Sequence, residues 1–385
     1  MKRILAFVIT LIIHYSLFII PCSAQDSSHI RISLLTCTPG DELYSTFGHS
    51  AIRIVDSSSV SDIVYNYGTF NFDDEGFYIK FARGKLLYYV SAEYFRDFRY
   101  LYEATNRGIT EQVLDLSAAE KLTVQQFLNN NLKEENKYYK YDFFFDNCTT
   151  RLRDIIKKNH DTSFVVKPVM KPGTTFRNAI HQYLDKNEKE WSKLSIDILL
   201  GKPCDRVMTA EEMQFLPDNL MISLDSAGHR IIKSHENLYP VNTGITKGSF
   251  FTPMNTFILL LVVIMALGLV KNKYTKVFLQ GFDGLLFFLT GLLGVILILM
   301  WTATDHSMTK QNFNLLWAWP THIIAAFFVN SKKTWVKKYL TFTAAGLILV
   351  LLSWFFLPQQ LNPSLIPLVL LLVYRSAVKA FTANQ

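Results

Sequence analysis

The stretch FFFDNCTTRLRD, residues 143–154, places a lone cysteine where an aromatic run ends and an amphipathic pattern begins. We predict that Asp146 caps a helix here, with its carboxylate accepting the backbone N–H of Thr149. Cys148 then lies in the first helical turn, where the helix dipole and unpaired N–H groups stabilise a thiolate. The apolar face of this helix would consist of Leu152, Ile155 and Ile156. The pattern is typical of an activated nucleophile, and it is also compatible with a small residue that packs a helix end.

A nucleophilic thiol requires a base, and the best candidate is His49 in YSTFGHSAIRI (44–54). This histidine opens a predicted strand directly after a glycine, so its ring can stand at the edge of a sheet. A histidine with a purely structural role remains the alternative. The other histidines of the same region lie in polar or terminal contexts; they are His29, His160, His181, His229 and His235.

The composition indicates a soluble part joined to a membrane part. Of the 385 residues, 50% are hydrophobic and only 18% are charged, which is too apolar for one soluble domain. The net charge is +7. The excess Lys and Arg lie largely beside apolar segments, so we interpret them as topology signals and predict no nucleic-acid partner.

Residues 1–24 are predicted to form a secretory signal peptide that is cut after Ala24. Lys2 and Arg3 precede a long apolar run, and Cys22-Ser23-Ala24 resembles a small-residue cleavage site. An uncleaved anchor helix is the main alternative. A lipoprotein box at Cys22 is disfavoured because proline precedes that cysteine. Each of these possibilities exports the following chain.

Residues 25–250 are predicted to form an exported catalytic domain with mixed secondary structure. HIRISLLTC, SAIRIVD and DIVYNYGTFNF have the composition of strands. SAAEKLTVQQFLNNNL (117–132) is helical, with Ser117 and Glu120 at capping-box spacing, and FRNAIHQYLDKN predicts a further helix.

Residues 251–378 are predicted to form a membrane domain of about five transmembrane helices. The apolar segments are residues 252–270, 279–301, 313–329, 339–357 and 361–376, of which the third and fifth are shorter than a bilayer requires. The loops KNKYTK and NSKKTWVKK and the terminal YRSAVKA are rich in Lys and Arg. This alternation places the catalytic domain outside the cytoplasm and the C-terminus inside, as in a multi-pass protein of a bacterial inner membrane.

Three cysteines remain after the predicted cleavage site, and the number is odd. Cys37 and Cys204 could pair and leave Cys148 free, or all three could be buried thiols. Neither CxxC nor HExxH spacing occurs, and there is no glycine-rich phosphate loop, so we predict no metal and no cofactor.

The order of these motifs resembles the circularly permuted papain-like arrangement of the NlpC/P60 superfamily. A strand carrying GHS is followed by a strand carrying YNYGTF and later by a helix that opens with NCTT. The resemblance implies a polar group that orients the histidine ring. By position this group is Asn66, with Tyr65 and Tyr67 as competitors. Alternation along the strand puts Asn66 on the face opposite both tyrosines, so only one choice can face His49.

A more specific resemblance spans nearly the whole mature chain. LLTCTPGDELYSTFGHSAIRI, VYNYGTFNF, YDFFFDNCTTRLRD, ILLGKPCDR, EEMQFLPDNL and TDHSMTKQNFNLLWAWP together resemble the Lnb family, the lipoprotein N-acyltransferase type of Bacteroidetes. It implies an α+β papain-like exported domain followed by a multi-span α-helical membrane domain. The implied activity moves a fatty acyl chain from a membrane phospholipid, through a cysteine thioester, to the α-amino group of the diacylglyceryl-cysteine of lipoproteins.

The resemblance also assigns roles to residues. Cys148 would be the nucleophile and His49 the general base and acid, with the Cys148 N–H, Asn147 and Tyr44 as oxyanion donors. Arg53, Arg151, Asp305 and His306 are candidates for contacts with the lipid head group, against the alternatives of solvated surface charges and a polar interfacial loop. The aromatic stretch 70–95 would line acyl chains or lie at the membrane interface, or it is an ordinary aromatic core.

Two other functions stay open at this point. The same Cys148 and His49 would serve a peptidoglycan amidase or endopeptidase with water as acceptor, although one membrane anchor would be enough for such an enzyme. A non-enzymatic membrane protein that binds lipid on a papain-like shell is the third possibility. The presence of both Cys148 and His49 counts against it.

Overall fold

The chain folds as a domain of sheet and helices followed by a helical region. The computed structural model describes residues 28–160, 166–227, 231–240 and 249–382. The predicted signal peptide lies outside these residues. All three strands predicted near the start of the chain are confirmed.

The sheet of the first domain has seven strands in the order β6-β4-β3-β2-β1-β5-β7, and every neighbouring pair is antiparallel. The strands are β1 (Ile30–Cys37), β2 (His49–Asp56), β3 (Ser61–Thr69), β4 (Leu87–Tyr94), β5 (Ile109–Leu114), β6 (Tyr138–Lys140) and β7 (Ile232–Tyr239). The central strands β1 and β2 are buried on both faces, which explains their nearly continuous apolar sequences.

The helices of this domain cover both faces of the sheet. They are α1 (Phe77–Ala82), α2 (Phe95–Ala104), α3 (Ala118–Asn131), α4 (Cys148–Asn159), α5 (Phe176–Lys186), α6 (Glu190–Leu199) and α7 (Pro217–Ser226). Leu128, Leu152 and Leu220 bring α3, α4 and α7 onto one face, and Phe98 and Tyr102 of α2 pack on the other. The predicted Ser117–Glu120 capping box of α3 and the predicted helix α5 are confirmed.

The N-cap of α4 lies one residue later than predicted, so the assignment of Asp146 as N-cap is wrong. The cap is Asn147, whose Oδ1 accepts the Thr150 N–H at 2.8 Å, while the Thr150 hydroxyl accepts the Asn147 N–H at 2.8 Å. Asp146 instead receives two hydrogen bonds from the Arg151 guanidinium, at 2.6 and 2.8 Å. Cys148 is therefore the first residue of the helix.

The second region contains α8 (Pro253–Leu269), α9 (Lys273–Thr302), α10 (His322–Phe328), α11 (Thr334–Ser353) and α12 (Ile366–Thr382). Among the described residues, three helical stretches are long and apolar enough to cross a membrane: α9, α11 and the stretch Pro363–Phe381, which includes nearly all of α12. Helix α8 is apolar but shorter. The count of five spans therefore stays a prediction.

The predicted segment 313–329 does not form one continuous helix. A single helical turn at Phe313–Leu316 is followed by Pro320 and the seven-residue α10. This chain lies directly against α9, because a Cβ on Gly294 would come within 2.2 Å of the Ala318 carbonyl oxygen. The close approach requires glycine on α9 and lets the broken segment pack directly against this helix.

A buried polar network joins the two regions. Arg177 of α5 donates to Asp197 and Asp205, at 2.8 Å each, and His181 lies 2.8 Å from the same Asp197 oxygen. The second Asp197 oxygen accepts from Asn362 of the helical region at 2.9 Å. The first domain is thus held against the loop between α11 and α12 of the helical region.

Replacing Arg177 with methionine should destabilise the protein by about 3–5 kcal/mol, because it leaves the buried Asp197 and Asp205 carboxylates without their guanidinium. The measurement is thermal unfolding in detergent. Arg99→Met removes an exposed i,i+4 pair with Glu103 and should change stability by less than about 1 kcal/mol. Equal shifts in the two variants would contradict the structural role of Arg177.

Candidate active site

The start of α4 and the start of β2 meet, and they bring Cys148 beside His49. The Ser50 and Thr149 hydroxyls lie 3.0 Å apart and tie the two elements together. Gly48 precedes the strand with φ +79°, and a Cβ on it would lie 2.6 Å from the Cys37 carbonyl oxygen. The turn that presents His49 therefore requires glycine.

The thiol and the imidazole form a coupled pair. Burial alone would raise the pKa of Cys148, but the charge of His49 and hydrogen bonds from His49, the Ser50 N–H and Thr149 lower that pKa to about 7. Burial lowers the pKa of His49, and the neighbouring Cys148 thiolate together with its hydrogen bonds outweighs burial and raises the pKa. The pair therefore reaches a thiolate–imidazolium state near neutral pH.

Asn66 lies behind the imidazole and fixes its orientation. Its Oδ1 is 3.1 Å from His49 Nε2, and its Nδ2 donates to Glu93 Oε1 at 2.8 Å. Because the Glu93 carboxylate accepts from the amide nitrogen, the amide oxygen must face the histidine, and Nε2 must carry the proton. Nδ1 is then the nitrogen left for Cys148. Tyr65 and Tyr67 instead point into the core.

Asn66→Ala should lower the catalytic rate by about 10²-fold, because the imidazole loses the partner that selects its tautomer. The measurement is the pH dependence of kcat and of KM. We expect kcat to fall with KM nearly unchanged, and Asn66→Gln to recover part of the loss. An unchanged kcat in Asn66→Ala would remove Asn66 from the site.

The Cys148 N–H is available at the helix N-terminus, since no described residue accepts it. Asn147, the other predicted donor, is committed elsewhere: its Nδ2 donates to the carbonyl oxygens of Phe143 and Phe215, at 2.7 and 2.9 Å. Tyr44 is 69% exposed and packs edge-on against Phe70. The structure therefore supports the backbone donor and not these two side chains.

Sequence reasoning missed two residues that border the thiol, Gly68 and Tyr139. A Cβ on Gly68 would lie 3.8 Å from Cys148 Cβ and 4.0 Å from the Tyr139 hydroxyl, and Gly68 has φ +90°. The Tyr139 hydroxyl is buried and has no hydrogen-bond partner among the described residues. A buried hydroxyl without a partner costs free energy, so its position beside a reactive thiol suggests a second oxyanion donor. Nothing in the local sequence distinguishes it from neighbouring tyrosines.

Arg53 does not face a ligand site, so its prediction as a lipid contact is wrong. Its guanidinium is buried in ion pairs with Asp62 and Glu111, at 2.6 and 3.2 Å, and lies 3.5 Å over the Phe95 ring. Arg53 is on the part of β2 remote from His49. It neutralises Glu111 inside the sheet and is a structural residue.

The other three predicted lipid contacts lie on the start of α4 and in the loop after α9. Arg151 is one helical turn from Cys148, where it pairs with Asp146 and stacks 3.5 Å over the Tyr139 ring. Asp305 and His306 follow α9 and contact the first domain: the Asp305 N–H donates to the Arg83 carbonyl oxygen at 2.9 Å, and His306 Nε2 lies 3.2 Å from the Ala82 carbonyl oxygen.

The remaining cysteines do not form a disulfide. Cys37, Cys148 and Cys204 are all free and buried, and burial raises the pKa of Cys37 and of Cys204 to about 12. Of these three described cysteines, only Cys148 therefore combines a lowered pKa with a neighbouring base. In the part of the chain that the structure describes, no group of three His, Cys, Asp or Glu residues could hold a metal ion.

Comparison with known families agrees with the division of the chain. The model of the Lnb N-terminal periplasmic domain matches residues 23–182, and the model of the Lnb transmembrane domain matches residues 245–385. Neither the curated proteins nor the solved structures gave a match. With both of its parts matched in order, the chain belongs to the Lnb family, as a membrane protein whose N-terminal part is a periplasmic domain.

Proposed function

We propose that the protein is a lipoprotein N-acyltransferase that works through a thioester on Cys148. The acyl donor is a membrane phospholipid, and the acceptor is the α-amino group of the N-terminal diacylglyceryl-cysteine of a lipoprotein. The observation that carries this proposal is the Cys148–His49–Asn66 arrangement on a domain that is docked on membrane-capable helices. The order of His strand and Cys helix also supports a permuted papain-like domain.

The first half-reaction uses the thiolate–imidazolium pair. The Cys148 thiolate attacks the ester carbonyl carbon of the phospholipid, and the resulting oxyanion is stabilised by the Cys148 N–H and the Tyr139 hydroxyl. When the C–O bond breaks, the imidazolium of His49 gives its proton to the departing glycerol oxygen. The products are a lysophospholipid and an acyl thioester on Cys148, and His49 is left neutral.

The second half-reaction restores the starting state. The lipoprotein amine attacks the thioester carbonyl carbon, the C–S bond breaks, and His49 takes the proton from the amine nitrogen. The amide-linked product leaves, and the thiolate–imidazolium pair is regenerated. Because Cys148 is buried, water reaches the thioester poorly, which favours transfer to an amine over hydrolysis.

Contacts between the two regions support a site near the lipid. Ser307 donates to Asp142 at 2.7 Å, and Lys140 pairs with Asp305 at 3.4 Å. Asp142 is only six residues from Cys148, so the loop after α9 directly supports the segment that carries the nucleophile. We infer an inner-membrane location with the C-terminus in the cytoplasm, which puts the site at the outer face of that membrane.

The test is product analysis with the full-length protein in vesicles that contain phosphatidylethanolamine and a synthetic diacylated lipopeptide. We expect a triacylated lipopeptide and an equal amount of lysophospholipid. Free fatty acid without triacylated product would replace the proposal with lipid hydrolysis. Cleavage of peptidoglycan fragments without lysophospholipid would favour the amidase function instead.

A further inference from the structure

An exposed apolar surface surrounds α1, a short helix at the end of the catalytic domain that faces the membrane helices. We call it the α1 patch and define it as Phe72, Tyr78, Ile79 and Phe81. Tyr78 and Ile79 are 78% and 67% exposed, and Phe72 and Phe81 are also exposed. A contiguous group of large apolar side chains on a soluble surface marks a contact site.

The patch is tied to the end of a membrane-capable helix. The carbonyl oxygen of Ala82, the last residue of α1, lies 3.2 Å from His306 Nε2, and the carbonyl oxygen of Arg83, the next residue, accepts the Asp305 N–H at 2.9 Å. A Cβ on Gly84 would lie 3.2 Å from the backbone nitrogen of His306. Helix α9 ends only three residues before Asp305. The contact of Asp305 with the residue that follows α1 therefore lies within about 10 Å of the end of α9.

The length of α9 sets the depth of the patch. Its 30 residues span about 45 Å, which is about the thickness of a bilayer including the head groups. Trp301, near its end, is partly exposed, as is typical of the membrane interface. A patch attached at this level lies at the boundary between head groups and acyl chains.

The charges around the patch fit that position. Lys80, Arg83 and Lys85 are exposed near the end of α1 that contacts α9, where lipid phosphates would lie. The acidic residues Asp73, Asp74 and Glu75 lie before α1, at its opposite end. The arrangement therefore favours an orientation in which the basic end approaches the head groups.

A series of aromatic rings connects the patch with the nucleophile. The ring centroids of Phe72 and Phe70 are 4.9 Å apart, those of Phe70 and Tyr88 are 5.4 Å apart, and those of Tyr88 and Tyr141 are 4.4 Å apart. Tyr141 Cε2 would lie 3.5 Å from a Cβ on Gly68, the glycine beside Cys148. The apolar wall is thus continuous from the surface to the thiol.

We propose that the α1 patch inserts into the outer leaflet of the membrane and that the acyl chain of the donor lipid follows this aromatic wall to Cys148. The partner is the lipid bilayer itself. The route of the acyl chain rests on the proposed function, whereas insertion of the patch does not. The two parts therefore fail separately.

The test of insertion uses the full-length chain with Cys22→Ser, Cys148→Ala and Ile79→Cys, labelled with a thiol-reactive, environment-sensitive fluorophore. The remaining Cys37 and Cys204 are buried and have raised pKa values. The protein is placed in vesicles of phosphatidylethanolamine and phosphatidylglycerol with lipids that carry a nitroxide close to the head group. The control is Val60→Cys. Val60 is 92% exposed and directly precedes β3, about 30 Å from the opposite end of that strand, which leads to Phe72 of the α1 patch.

We expect a blue shift and strong quenching at position 79 and neither at position 60. This fluorescence measurement needs no turnover, so it tests insertion even if no acyl transfer is found. Absence of quenching at position 79, or equal quenching at both positions, would overturn insertion.

The acyl-chain route is tested on the aromatic wall itself by Phe70→Asp, with Phe70→Leu as the conservative control. Phe70→Asp should raise KM for vesicle lipid by at least about tenfold while the label at position 79 is still quenched, and Phe70→Leu should keep KM near the wild-type value. An unchanged KM in Phe70→Asp would overturn the route.

Discussion

Replacing Cys148 with alanine is expected to lower the rate of acyl transfer by at least about 10⁴-fold, because no other described group can form the thioester. The measurement is the initial rate of triacylated lipopeptide formation by the purified variant in lipid vesicles. Since Cys148 lies at the first position of α4 and takes no part in its cap, the variant should still fold.

Cys204→Ala is the matched control for this change. Cys204 is also buried, but its pKa is raised to about 12 and it lies in another part of the core, near Arg177. The control should keep most of the activity. A Cys148→Ala variant with more than about one hundredth of the wild-type rate would show that catalysis does not pass through the thiol.

His49→Asn should lower the transfer rate by about 10³- to 10⁴-fold and change its dependence on pH. With His49 present, the pKa of Cys148 is about 7 because the imidazolium stabilises the thiolate. Without it, burial dominates and the pKa rises above the usual 9.0. At pH 7 the thiolate fraction then falls from about one half to about 1% or less, a loss of about 50-fold in reactive thiol.

Alkylation of Cys148 by iodoacetamide measures this shift without any turnover. The wild-type rate should rise through a midpoint near pH 7, and the midpoint of His49→Asn should move to higher pH. His235→Asn is the control, since His235 pairs with Asp225 at the surface. An unshifted midpoint in His49→Asn would mean that His49 does not act on the thiol.

The pairing of Cys148 with His49 follows from local sequence patterns that correctly predict the strand and the helix on which they lie. His49 begins a strand whose apolar residues fill the core, and Cys148 begins a helix whose apolar face packs on that strand. Alternation along β3 also limited the residue behind His49 to one face of the strand. Sequence patterns with a period of two or 3.6 residues were therefore enough to predict the main strands and helices and the pair at the centre of the site.

Partners that come from distant parts of the chain could not be predicted. Asp146 looks like a better cap than Asn147, but the tertiary contacts of Asn147 with Phe215 and the ion pair of Asp146 with Arg151 decide the helix start. Arg53 looks like a surface charge until Glu111 of another strand pairs with it. The role suggested for Tyr139 depends on a buried hydroxyl without a described partner, which only coordinates reveal.

The most direct test is the intact mass of the protein after exposure to phospholipid in the absence of acceptor. We predict a mass increase of one fatty acyl group on Cys148, removed by hydroxylamine as expected for a thioester and absent in Cys148→Ala. Addition of diacylated lipopeptide should discharge the adduct into triacylated product in a single turnover. Formation of triacylated product without any adduct on Cys148, or an adduct that the lipopeptide cannot discharge, would contradict thioester-mediated transfer.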